Sequence, residues 1–272
     1  MSLLDRADAW VHAVFDPLHL SGVGEYWQTM ALSLIVHIAY FKAVPFASRL
    51  LLPQVYNNMS KQEKRSWEIS FTGLAHAIFD SWFILTYFNS VALNSDKMDG
   101  YDKGFEYLLA WAHGYYVWDL TICLTDFKNY GVSYVIHGAL GAFGLLVLTS
   151  RQLQFYAIPY LLPELSSVFL NIRHILKCSG LTDTLLYKVN FVMFLLAFVV
   201  VRIGFEAYHS LLLIGTVYRG ETGNVYYPYA VYFAILGVTL TALNIMWLKQ
   251  ILVAAYYTLS GKSSKAKNKK TQ

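Results

Sequence analysis

Long apolar stretches separated by short polar segments run through most of this chain. Seven are long enough to matter, at approximately Tyr26–Val44, Trp67–Phe88, Phe105–Thr125, Tyr130–Thr149, Leu153–Leu176, Val189–Gly215 and Tyr229–Tyr257. A bilayer-spanning helix needs about 20 mostly apolar residues. The pattern therefore predicts an all-α, polytopic membrane protein with about seven transmembrane helices. The last two stretches exceed what a bilayer requires, which predicts tilt or extension into water. Ahead of the first stretch lie Asp5, Asp8 and Asp16, with no apolar core before a small-residue site, so the N-terminus does not read as a cleaved signal. A short interfacial helix is expected over His12 to Leu20. There is no internal repeat.

Composition agrees with the pattern. Of the 272 residues 56% are hydrophobic and only 14% charged, against roughly 25% charged in soluble domains. Aromatic residues make up 17%, and Trp and Tyr favour membrane interfaces. Cys123 and Cys178 show no metal-ligand or disulfide spacing and read as free apolar thiols. No metal or other cofactor is expected.

Charge sets the expected orientation. With a lumenal N-terminus, 12 Lys and Arg fall in cytosolic segments and 5 in lumenal ones, which the positive-inside rule favours. Five of the 21 basic residues lie between Lys262 and Gln272. A basic segment directly after a membrane helix reads as a cytosolic flank facing anionic lipid, not as a nucleic-acid site. Lys269 and Lys270 stand fourth and third from the C-terminus, as in a dilysine retrieval signal, an address read by coat-type retrieval machinery. The expected location is the endoplasmic reticulum membrane, multi-pass, with a lumenal N-terminus and a cytosolic C-terminus.

Ionisable groups inside a bilayer are costly and usually face the bundle interior. In the second span His76 and Asp80 share one face at i, i+4. The third carries His113, Tyr115, Tyr116 and Asp119, with either tyrosine hydroxyl within reach of Asp119. His137 sits in the fourth beside Gly138, Gly141 and Gly144. In the fifth, Glu164, Ser167 and Asn171 form a polar stripe, and Pro159 and Pro163 break the helix. The sixth places Arg202, Glu206 and His209 at i, i+4, i+7, and the seventh holds Asn244 and Lys249. Taken singly, Asn244, Lys249, His37 and His209 read as helix–helix glue or interfacial groups. Taken together, the stripes predict a polar chamber on which Asp119, His137, Glu164, Asn171 and Arg202 converge. Arg202 is expected to pair with Glu206, or across helices with Glu164 or Asp80.

From about Lys64 to Tyr257 the chain resembles the TLC-domain family, best known for the ceramide synthases. The residues that carry the resemblance are Trp67-Glu68, Gly114-Tyr115-Tyr116-Val117-Trp118-Asp119-Leu120, Val135-Ile136-His137-Gly138, the run Pro163 to Arg173, and Asn244-Ile245-Met246-Trp247. The closest match is to small TLC-domain proteins that are not ceramide synthases. The resemblance implies six helices around a central cavity open to lipid, and three regions: 1–63 with the first transmembrane helix, a TLC domain over 64–258, and a basic cytosolic tail over 259–272. In ceramide synthases a His-His pair and a His-Asp-x-Ser-Asp segment carry acyl transfer. Here His137-Gly138 and Pro163-Glu164-Leu165-Ser166-Ser167 stand in those places, so the enzyme activity does not carry over directly.

Three readings follow. In the first, the chain is a lipid-handling protein that binds, senses or moves acyl chains or sphingolipids, with His76, Asp80, His113, Tyr116, Ser167, Asn171, Arg202 and Glu206 lining its cavity. In the second, it is a ceramide synthase-like acyltransferase or other lipid-modifying enzyme, with His137 as base or acyl acceptor and Asp119 or Glu164 orienting it. A helical assembly subunit without a ligand is a third, weaker reading. The expected partners are a membrane lipid or acyl chain and the retrieval machinery, with a homo-oligomer left open.

Overall fold

The computed structural model describes residues 2–260, and every regular element among them is helical. The basic tail with Lys269 and Lys270 lies outside the described residues. The chain opens with α1 (Leu3–Phe15), started by a capping box in which the Ser2 hydroxyl accepts from the Asp5 amide and the Asp5 carboxylate accepts from the Ser2 amide. The interfacial helix expected over His12 to Leu20 is thus displaced toward the N-terminus. Pro17 sets a 3₁₀ turn, Asp16–Leu18, and left-handed His19 ends it.

The membrane helices follow. α2 (Ser21–Leu51) leads through the short α3 (Pro53–Asn57) to α4 (Lys61–Tyr87). α4 is started by a second capping box, Ser60 with Glu63. Then come α5 (Val91–Asn94), α6 (Lys103–Thr125), α7 (Phe127–Tyr130) and α8 (Val132–Leu148). Next are α9 (Ala157–Leu161), α10 (Glu164–Cys178), α11 (Leu185–Phe198), α12 (Ala207–Tyr218) and α13 (Tyr227–Ser260). A π-helical stretch, Val199–Glu206, joins α11 to α12.

Among the described residues four helical segments are long and apolar enough to cross a membrane: Ser21–Leu51, Lys61–Tyr87, Leu185–Tyr218 and Tyr227–Tyr257. α8 is apolar but has only 17 residues. α6 has 23 residues, with Glu106 and Asp119 among them. The stretch expected as one fifth span is not one helix. It comprises a 3₁₀ turn (Gln154–Tyr156), α9, a break at Leu162 and Pro163, and α10. Pro163 lacks the amide that would continue the helix. Residues 153–164 are buried throughout, and irregular backbone at membrane depth is tolerated where protein surrounds it.

The helices pack as a bundle. α4 lies mainly against α10, α2 against α6, α6 against α8, and α12 against α13. α2 and α6 approach closely at Gly114, where an added Cβ would stand 2.6 Å from the Met30 carbonyl oxygen and the Leu34 nitrogen. Large apolar side chains such as Leu32, Ile35, Phe46, Leu196 and Val200 point outward. Apolar exposure on this scale is foreign to soluble monomers and suits contact with lipid. At the end of the bundle where α2 and α6 begin, buried Glu106 accepts from Tyr26 (2.5 Å), Tyr101 (3.0 Å) and Arg151 (3.2 Å), and Arg151 also pairs with Glu25.

Candidate functional site

The opposite half of the bundle holds a half-open cavity of about 570 Å³. Its walls come from α4, α6, α7, α8, α10, α11, the π stretch and α13. Asp119, His137, Glu164, Asn171 and Arg202, expected to converge, all line it, as do Tyr116 and Ser167. The bundle brings these side chains from the third to the sixth predicted spans to one place.

Each polar group is held by identifiable neighbours. Arg202 Nε donates to Ser166 Oγ at 2.9 Å, and Nη2 donates to Ser167 Oγ at 3.2 Å and to the Pro163 carbonyl at 3.3 Å. Nη1 reaches Asn244 Oδ1 at 3.5 Å. The proline break therefore supplies an acceptor for the guanidinium. The expected pairing of Arg202 with Glu206, Glu164 or Asp80 does not occur: among the described residues no carboxylate forms an ion pair with it. The π stretch explains the local part, since its i→i+5 bonding changes the angle between side chains four apart. Glu206 instead accepts from Asn244 Nδ2 at 2.9 Å. Asn244 thus ties α13 to the π stretch through Glu206, as the glue reading expects, with only a marginal contact from Arg202.

Tyr116 donates to Glu164 Oε1 at 3.4 Å, so the expected tyrosine–Asp119 bond is not made. Among the described residues Asp119 accepts only the weak Cys123 thiol, at 3.9 Å. Tyr115 stacks on His76, with ring centroids 3.5 Å apart. His137 lies between the Tyr116 and Trp247 rings, at 6.3 and 5.6 Å between centroids. Its Nδ1 has no hydrogen-bond partner, and neither Asp119 nor Glu164 bonds the ring. Asn171 donates to the Ser167 carbonyl of its own helix at 2.9 Å.

Four residues expected in the lining are not in it. His76, Asp80, His113 and Glu206 are not among the residues that line it. His76 and Asp80 are fully buried side by side. His209 and His37 turn Nδ1 to carbonyls one turn back in their own helical runs, Phe205 and Ser33, so these hydrogen bonds do not join helices as the glue reading expects.

The sequence reading missed the apolar half of the cavity. Phe191, Phe194 and Phe198 form one wall, and Trp247, Ile251 and Leu170 contribute another. Their i, i+3, i+7 spacing in α11 would have identified the first wall, but it was submerged in a continuous apolar run. Arg173 was also undervalued. It lines the cavity about two turns from Ser166, with its guanidinium 4.7 Å from the Phe191 ring centroid. Among the described residues no group of three metal-ligating side chains could hold a metal ion.

The outward apolar surface and the internal chamber define a multi-pass α-helical membrane protein with an amphipathic cavity. Residues 65–253 match the family model described as the TLC domain, and the chain belongs to that family. Over 250 residues it is 24% identical to an uncharacterized TLC domain-containing protein of Schizosaccharomyces pombe, covering 91% of this chain and 84% of that one. TLC domain-containing protein 1 of Gallus gallus is 29% identical, covering 68% of this chain and 75% of its own length. TLC domain-containing protein 4-B of Danio rerio is 28% identical over 80% of this chain and 85% of its own. These relatives are TLC domain-containing proteins and not ceramide synthases.

Proposed function

We propose that this protein binds a membrane lipid or acyl chain in the cavity and so handles lipid within the bilayer, contributing to membrane lipid homeostasis. The observation that carries the reading is the division of one chamber into two chemistries. Phe191, Phe194, Phe198, Leu170 and Ile251 offer an apolar wall for a chain. Arg202, Glu164, Tyr116, His137 and Asn171 offer hydrogen-bonding groups for a polar head. Ligand pockets in general join a mostly apolar lining to a few placed polar groups at volumes of about 300–1,000 Å³. Arg202 spends its donors on hydroxyl, carbonyl and amide acceptors, which leaves its positive charge available to an oxygen-rich head group.

An acyltransfer reading is less well supported. A general base needs a partner that fixes its tautomer, and His137 has no acid bonded to its ring. We further assign the chain to the endoplasmic reticulum membrane with a lumenal N-terminus, on the basic-residue balance and the Lys269–Lys270 pair. In that orientation the cavity lies in the cytosolic half of the bundle.

Mass spectrometry of the gently purified protein tests the function directly. A lipid should co-purify in stoichiometric amount and be depleted by Arg202→Met in protein that remains folded. Equal lipid content in the two proteins would count against the head-group role of Arg202, and no retained lipid in wild type would remove the reading.

A further inference from the structure

Behind the cavity wall lies a second polar cluster that lipid binding does not use. His76 and Asp80 stand one turn apart on α4, with Nε2 and Oδ2 3.1 Å apart and both side chains 0% exposed. The contact is close enough for an ion pair but misaligned for a hydrogen bond. Both nitrogens of His76, both oxygens of Asp80 and the Ser81 hydroxyl therefore lack a hydrogen-bond partner. Orphaned polar atoms at this density are rare in folded proteins and call for an explanation.

Across the interface, His37 of α2 packs edge-on to His76 at 5.5 Å between centroids. Its Nδ1 must carry a hydrogen, because it lies 2.8 Å from the Ser33 carbonyl, which can only accept. The remaining nitrogen of neutral His37 is then a free base. The third member is Tyr115 of α6. It stacks flat on His76 at an interplanar angle of 14° and also lines the cavity.

With both imidazoles neutral and Asp80 ionised, the cluster carries −1 in hydrocarbon surroundings. Among the described residues the only ion-pair partner of Asp80 is His76. The groups facing it from other elements are His37 on α2, Tyr115, Tyr116 and Asp119 on α6, and Glu164 on α10. Asp80, Asp119 and Glu164 all act on Tyr115 electrostatically. α9 contributes only Tyr160. Arg202 of the π stretch also acts on Tyr116, so one positive charge stands against the carboxyls of Asp119 and Glu164, and the balance around the cluster is still acidic and favours uptake of one positive charge. No water-sized space touches either His76 or Asp80, so the ligand that fits without rearrangement is a proton.

We propose that His76, Asp80 and His37 form an intramembrane proton-binding site, coupled to the cavity through the stacked Tyr115 ring. The cluster takes one proton from solvent, its net charge rises from −1 to 0, and the proton is shared between Asp80 and the imidazoles. An imidazolium against the Tyr115 face is a cation–π contact, which neutral imidazole does not make. Proton binding therefore fixes Tyr115 in the wall, and proton loss frees it. The site itself stands on the cluster alone; its effect on ligand binding rests on the functional reading above.

Nitrogen-15 NMR of histidine-labelled wild-type protein, with infrared detection of protonated carboxyl groups, tests the site. Of the eight histidines, one buried imidazolium, or one protonated carboxyl, should persist at pH 8, well above the ordinary histidine value of about 6.5. Asp80→Asn removes the charge that holds the proton and should abolish the signal. Wild-type protein with no such signal at pH 8 overturns the proposal, and so does a signal that Asp80→Asn leaves unchanged. The coupling is read from lipid retention. Affinity should fall by about tenfold as pH rises through the cluster's titration, the amount one pK unit of linkage gives. Tyr115→Phe, which keeps the stack, should preserve that component, and Tyr115→Leu and Asp80→Asn should each remove it. A pH profile unchanged by both overturns the coupling. Wild-type protein that retains no lipid at any pH defeats the functional reading instead, and the NMR result still decides the proton site.

Discussion

Replacing Asn244 with leucine should destabilise the bundle through one bond. Asn244 is 1% exposed, and its Nδ2 donates to Glu206 Oε1 at 2.9 Å. Its contact from Arg202, at 3.5 Å, is at the limit of a hydrogen bond and adds little. Leucine is close in volume, so the cavity contribution is small. What is lost is the side-chain donor to Glu206, itself 2% exposed. A hydrogen bond is worth about 0.5–1.5 kcal/mol in soluble proteins, and about 1.5–3 kcal/mol when one partner is charged. Inter-helix bonds in membranes average only about 0.6 kcal/mol and reach about 1.7. A fully buried carboxyl belongs at the upper end, so the expected loss is about 1.5 kcal/mol. The double variant Asn244→Leu with Glu206→Leu should recover most of it, because removing both partners is nearly neutral. Unfolding of the full chain in mixed micelles with rising SDS measures both variants. Losses that simply add in the double variant would refute the reasoning.

Other outcomes are equally concrete. Gly114→Ala should cost about 1–3 kcal/mol in the same assay, because the new methyl meets the backbone of α2, which cannot give way as a side chain would; an unchanged unfolding midpoint contradicts the close approach of α2 and α6. The amides of Asp99 and Met98 hold the Asp96 carboxyl below its ordinary value. Its stabilising contribution is therefore present above about pH 3.9 and lost as pH falls through the lowered folded value. Amide exchange at Met98 and Asp99 should be faster in Asp96→Ala at neutral pH and should match wild type in strong acid. Changing Lys269 and Lys270 together to serine should move the protein from the endoplasmic reticulum to later compartments, as seen by fractionation. Asn58, in the only glycosylation sequon, should stay unmodified in its native host, and a glycan there inverts the proposed orientation.

The polar chamber was legible because the cost of burying charge is local. Asp119, Glu164 and Arg202 each stand out in an apolar run, and a bundle interior is where such groups go. The partners were less legible. Helical spacing offered Glu206 to Arg202, but the chain forms a π stretch there, and Ser166, Ser167 and the Pro163 carbonyl take the guanidinium instead. Nothing in the residue types around Val199–Glu206 announces that geometry. Pro159 and Pro163 marked the broken fifth span correctly, yet its division into a buried lead-in and α10 depends on contacts from distant residues. The aromatic wall was hidden for the opposite reason. Phe191, Phe194 and Phe198 look like their lipid-facing neighbours until packing tells the two faces apart. His76 and Asp80 were read as a pair on one face, which they are, but the stacked Tyr115 that separates them from the cavity belongs to another helix.

The central claim is that an acyl chain enters the bundle instead of merely coating it, and α11 offers a direct test. Phe191, Phe194 and Phe198 face the cavity, and Leu196 and Val200 face outward. Photo-crosslinking of the full-length protein in bilayers with a lipid carrying a photoactivatable acyl chain, followed by peptide mass spectrometry, reads which face the chain occupies. The account predicts crosslinks at Phe191, Phe194 and Phe198 that excess unlabelled lipid competes away. Crosslinks confined to Leu196, Val200 and other outward positions, indifferent to competition, would contradict it.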